Sequence, residues 1–223
     1  MRLNKALFCS SIGKKFWMAL TGLGLGLFMV LHVSGNMLLF LGPQAYNLYT
    51  YHVEKNPVTP IVEVLLIIGF VIHVYLGITL TLQNRAARGT SPARRPTSWL
   101  KAASFPARSM ILTGLLIFVF VILHLMTFKF GPRYEVTYDG VVMRDLYRLV
   151  IERLSDPLYA AWYLFSMVVL GAHLSHGFSA TMQSLGISGV RNPKVKRAGL
   201  ALAFLIAAGF FSQPILALLV KGK

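Results

Sequence analysis

Residues 109–130 read SMILTGLLIFVFVILHLMTFKF, twenty-two residues whose only ionisable groups are His124, well inside the run, and Lys129 near its end. At ~1.5 Å of rise per residue such a run crosses ~30 Å of hydrocarbon as a helix. An imidazole in that solvent marks a functional position by default. Four further blocks share this length and character: about Phe16 to Leu41, Pro60 to Leu82, Pro157 to Ser184 and Ala198 to Val220. Of the 223 residues 56% are apolar and 13% charged, whereas a soluble domain carries about 25% charged residues. Too few charges remain to cover a soluble enzyme. The expected fold is an all-α integral membrane protein, one domain of five transmembrane helices with the first four forming a cofactor-binding bundle. A single Cys excludes a disulfide framework or a Cys-ligated zinc or iron-sulfur site within the chain. Any metal therefore rests mainly on His.

The net charge of +15 would suggest nucleic acid in a soluble protein. Here its placement says otherwise. The N-terminus has Arg2, Lys5, Lys14 and Lys15; the second connection has Arg85, Arg88, Arg94, Arg95, Lys101 and Arg108; the fourth has Arg191, Lys194, Lys196 and Arg197. That side holds fourteen cations and no acid, while all seven acids (Glu54, Glu63, Glu135, Asp139, Asp145, Glu152 and Asp156) fall on the other. The positive-inside rule puts the N-terminus of a multi-pass membrane protein in the cytoplasm. The basic face suits anionic lipid and the docking of an acidic soluble partner. The first block follows a short basic segment, but its core is too long for a cleaved leader and reads as a retained span. Between the third and fourth spans, residues 131–156 form the only sizeable outer loop. Asp139-Gly140 signals a hairpin turn, and Val142 to Leu154 has helical spacing suited to lying flat on the outer surface.

Histidines mark four successive spans: His32, His73, His124 and His173, with His176 added in the fourth. His52 belongs to the outer loop. Counted from the basic ends of their spans, His32 and His124 lie ~25 Å and ~24 Å deep, His73 and His173 only ~18 Å and ~15 Å. The four therefore sort into two levels. Two imidazoles from different helices at one depth clamp a metal porphyrin from both faces, and bis-imidazole ligation suits electron transfer. Two pairs imply two haems. A structural zinc site would instead need four ligands converging on one point. Gly69 and Gly77 flank His73 at i−4 and i+4, and Gly177 stands at i+4 from His173, which leaves clearance for a flat macrocycle on the histidine's face. His173 is one turn before Gly177 as His73 is before Gly77, so His173 is favoured over His176 as the inner ligand.

This arrangement resembles the five-helix, two-haem cytochrome b membrane anchor of succinate dehydrogenases and fumarate reductases. The resemblance covers essentially the whole chain, from His32-Val-Ser-Gly-Asn-Met to a last span without a ligand. It is most specific at His173-Leu-Ser-His-Gly-Phe-Ser, continuing to Gln183-Ser-Leu-Gly186. It implies an outer haem b on His32 and His124, an inner haem b on His73 and His173, and menaquinone or another quinone as redox partner. It also implies a flavoprotein subunit and an iron-sulfur subunit on the cytoplasmic face, within a complex able to form higher oligomers. The chain would be the part of that enzyme that binds no dicarboxylate. For the quinone, Glu63 and His52 are the candidates near the outer haem. The membrane carboxylate that some members hold two residues before the last ligand is Gly171 here.

Two alternatives stand beside this reading. One is the haem b anchor of a hydrogenase or formate dehydrogenase, which usually has four spans and a different histidine distribution. The other is a haem-free transporter or scaffold. Transporters tend to show repeated halves and broken helices with midplane polar sites, and the chain reads as having neither.

Overall fold

The computed structural model describes residues 10–88, 105–187 and 193–221. Five stretches within it are helical, long and apolar enough to cross a membrane: Ser11–Leu41, Thr59–Ala86, Ser109–Lys129, Pro157–Ser184 and Pro193–Lys221. Six of the fourteen cations assigned to the basic end (Arg2, Lys5, Arg94, Arg95, Lys101 and Arg191) lie outside the described residues.

Helix α1 (Ser11–Asn36) starts at Ser10, whose Oγ accepts from the Gly13 N–H at 3.0 Å, the usual remedy for an unpaired helix-start donor. It tightens into a 3₁₀ turn at Met37–Leu41 and stops at Gly42, whose φ of 97° a side chain would resist. Pro43 then opens α2 (Pro43–Lys55). Sequence reading left this stretch as loop; it is a polar helix lying outside the spans, and His52 stands on it. Helix α3 (Thr59–Arg88) returns, and α4 (Phe105–His124) passes directly into a wider π turn at Leu125–Lys129.

The outer loop holds the expected hairpin. Strand β1 (Glu135–Tyr138) pairs antiparallel with β2 (Val141–Arg144), closed by Tyr138↔Val141. Asp139 and Gly140 both take positive φ, 50° and 78°, as a two-residue hairpin turn of matching twist requires. Helix α5 (Leu146–Leu154) follows, capped by Asp145 accepting from the Arg148 N–H at 3.0 Å. It begins four residues later than the periodicity predicted, because 142–144 are claimed by the hairpin. The apolar side of α5 packs on protein, with Leu149, Val150 and Leu154 buried. The same helix is held by Asn47 of α2, itself fully buried, whose Nδ2 donates to Asp145 Oδ1 at 2.8 Å while its Oδ1 accepts from the Tyr147 N–H at 2.9 Å.

Helices α6 (Pro157–Ser184) and α7 (Pro193–Lys221) carry most of the core, with Tyr163, Met167 and Leu170 facing Ile206, Phe210 and Ala217. Gly171 permits this approach, since a Cβ there would stand 3.0 Å from Ala207 Cβ. Helices α1, α3 and α4 instead bury few of their apolar side chains, as lipid-facing rods do.

Candidate functional site

The four helices bring the histidines together in two pairs. His32 of α1 and His124 of α4 stand edge to face, ring centroids 5.9 Å apart with an interplanar angle of 88°. His73 of α3 and His173 of α6 are 6.5 Å apart at 72°. The pairing is the one that depth along the spans predicts. His73's ring partner is His173 and not His176, one turn further along α6.

These spacings bear on what the pairs can hold. Two imidazoles bonded at ~2 Å to opposite sides of one metal have ring centres ~6 Å apart, a spacing close to that of both pairs. Among the described residues no three His, Cys, Asp or Glu side chains converge as a metal cluster. Each site therefore offers two imidazoles, the donor set of a six-coordinate haem, rather than the four donors of structural zinc.

The walls are aromatic and apolar. Phe28 stacks on His32 with centroids 5.2 Å apart, Phe210 approaches its other side at 5.4 Å, and Phe120 and Phe128 flank His124 at 5.6 and 5.0 Å. A histidine that ligates metal through one nitrogen generally engages the other in a hydrogen bond that fixes its tautomer. At the inner pair both are engaged: His73 Nδ1 lies 3.2 Å from Thr21 Oγ1, and His173 Nδ1 lies 3.0 Å from Thr113 Oγ1. The other pair is less furnished. His32 Nδ1 faces Asn36 Nδ2 at 3.4 Å, Tyr46 Oη donates to Asn36 Oδ1 at 3.1 Å, and the buried His124 Nδ1 has no hydrogen-bond partner among the described residues. Burial holds the Tyr46 phenol above its ordinary pKa, so it remains a donor.

Of the glycines expected beside the inner site, Gly69 and Gly177 border open space, and a Cβ at Gly77 would stand 3.3 Å from Met18 Cε. The glycines that touch the histidines are others. A Cβ on Gly22 would lie 3.2 Å from His73 Cε1, and one on Gly114 would lie 3.4 Å from His173 Cε1. Sequence reading passed over both, together with the threonines beside them. The signal was present: 21–32 and 113–124 share the pattern T-G-L-x4-F-x2-L-H. Helices α1 and α4 thus place a threonine, a glycine and a histidine at the same spacings.

The quinone candidates lie at the hairpin end. Glu63 pairs with Lys129 of the π turn across an exposed gap. The exposed His52 donates from Nδ1 to its own helix at Leu48 O, 2.7 Å away. Among the described residues neither is hydrogen-bonded to a histidine pair. At Gly171 a Cβ would stand 3.0 Å from Ala207 Cβ, so a side chain there would press on α7.

No protein-family model matches the chain, and no curated protein or solved structure matches it either.

Proposed function

We propose that this chain is the two-haem cytochrome b membrane anchor of a succinate:quinone oxidoreductase. One observation carries the reading: four membrane-crossing helices supply two imidazole pairs at two depths, each with the ring spacing that a shared metal requires. His32 with His124, and His73 with His173, would hold the two haems b. Bound there, each haem supplies one-electron transfer with no open position for oxygen. The chain's own part is placement. Helix packing sets the distance between the sites, the phenylalanines around His32 and His124 exclude water, and hydrogen bonds at Nδ1 orient the His73 and His173 rings. The basic end, turned to the cytoplasm, would dock the iron-sulfur subunit and through it the flavoprotein that handles the dicarboxylate. A quinone within the membrane, menaquinone by the resemblance, would complete the route.

The test is a reduced-minus-oxidised spectrum of the purified chain with haem counted by pyridine haemochrome. Two haems b per chain are expected, with a flavoprotein and an iron-sulfur protein co-eluting from the native membrane. His32→Ala or His124→Ala should each remove one haem and spare the other. A wild-type chain without a Soret band, or variants that lose neither haem, would sink the proposal.

A further inference from the structure

Thr21 and Thr113 each have a single hydroxyl hydrogen, and in both cases a backbone carbonyl is placed to take it. Thr21 Oγ1 lies 2.9 Å from Trp17 O and 3.1 Å from Met18 O; Thr113 Oγ1 lies 3.1 Å from both Ser109 O and Met110 O. This back-bonding to the preceding turn is a common arrangement for threonine within helices. With the hydrogen so placed, only oxygen lone pairs remain for the imidazole nitrogens at 3.2 and 3.0 Å. Nδ1 must then be the donor. A neutral imidazole that carries its proton on Nδ1 has its free lone pair on Nε2.

Two further observations fall on the same residues. The next residue in each case is glycine, and a Cβ on Gly22 or Gly114 would press on the ring's Cε1, so each Thr-Gly step forms a seat for one edge of one histidine. Each step also stands eleven residues before a histidine of the other pair, His32 or His124. Eleven residues make three helical turns, ~16 Å along one face. One face of α1 and one face of α4 therefore serve both levels.

We propose that Thr21 and Thr113 are positioning residues for the inner site: each locks the histidine of the next long apolar helix, His73 of α3 or His173 of α6, in the Nδ1–H tautomer with Nε2 directed to metal ligation. This rests on the haem-binding reading above and adds to it a residue pair that acts only through the histidines. A hydrogen bond from Nδ1–H raises the basicity of the ligating nitrogen, which favours the oxidised metal. Removing the hydroxyl should therefore raise the reduction potential of the inner haem.

The experiment is a spectroelectrochemical titration of the full-length haem protein as wild type, Thr21→Val, Thr113→Val and Thr21→Ser. Each valine variant is expected to retain both haems, with the midpoint of one component shifted upward and the other unmoved. Thr21→Ser, which restores a hydroxyl, should return the midpoint toward wild type. Should a valine variant fail to accumulate, Thr21→Ala and Thr113→Ala, which add no bulk, carry the same expectation. Two haems whose midpoints are unchanged, or that move together without serine rescue, overturn the threonine assignment and leave the anchor function standing. A wild-type chain with no haem overturns the function itself.

Discussion

At the scale of single residues, the Thr-Gly steps explain why this chain places glycine where a helix in lipid has no need of it. Glycine weakens a helix interior by roughly 0.5–1 kcal/mol relative to alanine, so its presence at 22 and 114 needs a local cause, and the His73 and His173 rings supply it. Gly22→Val is expected to drive His73 off its seat and weaken or remove the inner haem, with the outer one retained. The control is Gly24→Val, where nothing lies within 4 Å of a Cβ; it should keep both. Haem content with the number of potentiometric components reads the difference. The histidines themselves were legible in the sequence because an ionisable group in an apolar run stands out. The threonines were not, since a Thr in a membrane helix satisfies its own hydroxyl and offers no contrast until a second helix is laid against it.

Among the elements, the spans were legible and the connections were not. Apolar length alone announces α1, α3, α4, α6 and α7. Helix α2 is polar and exposed along much of its surface, so nothing in its hydropathy separates it from loop; Gly42 and Pro43 were the local cues. Helix α5 showed its periodicity, yet its partner could not be read, because burial of Val150 and Leu154 depends on where α6 begins and α7 ends. Asn47 holds this arrangement. Replacing it with alanine leaves the Tyr147 N–H without its partner and frees Asp145 from α2. A buried donor left unsatisfied costs about 1–3 kcal/mol. Asn47→Ala should therefore lower the thermal midpoint in detergent while the haem count stays at wild-type level. By contrast the exposed Arg133–Glu54 pair, 2.8 Å between Nη2 and Oε1, contributes little, as exposed ion pairs do, and Glu54→Gln should leave that midpoint within experimental scatter.

Across the whole molecule, the charge asymmetry separates a basic end from an end that holds every acid. If the positive-inside rule governs insertion, a reporter active only outside the cytoplasm should work when inserted at Asp139-Gly140 and stay silent when fused after residue 90. The reverse result would turn the docking face proposed for the iron-sulfur subunit the wrong way round. Between these ends the repeated pattern of 21–32 and 113–124 makes α1 and α4 near equivalents, but beyond His124 they part company. The π turn at Leu125–Lys129 carries the chain around with more residues per turn than an α-helix uses, so every position past it is rotated relative to the face that bears Thr113 and His124. That rotation lets Lys129 reach Glu63 on α3. A one-residue widening of the coil thus acts as a swivel, re-aiming the rim contacts of this rod while its histidine-bearing side keeps its own phase.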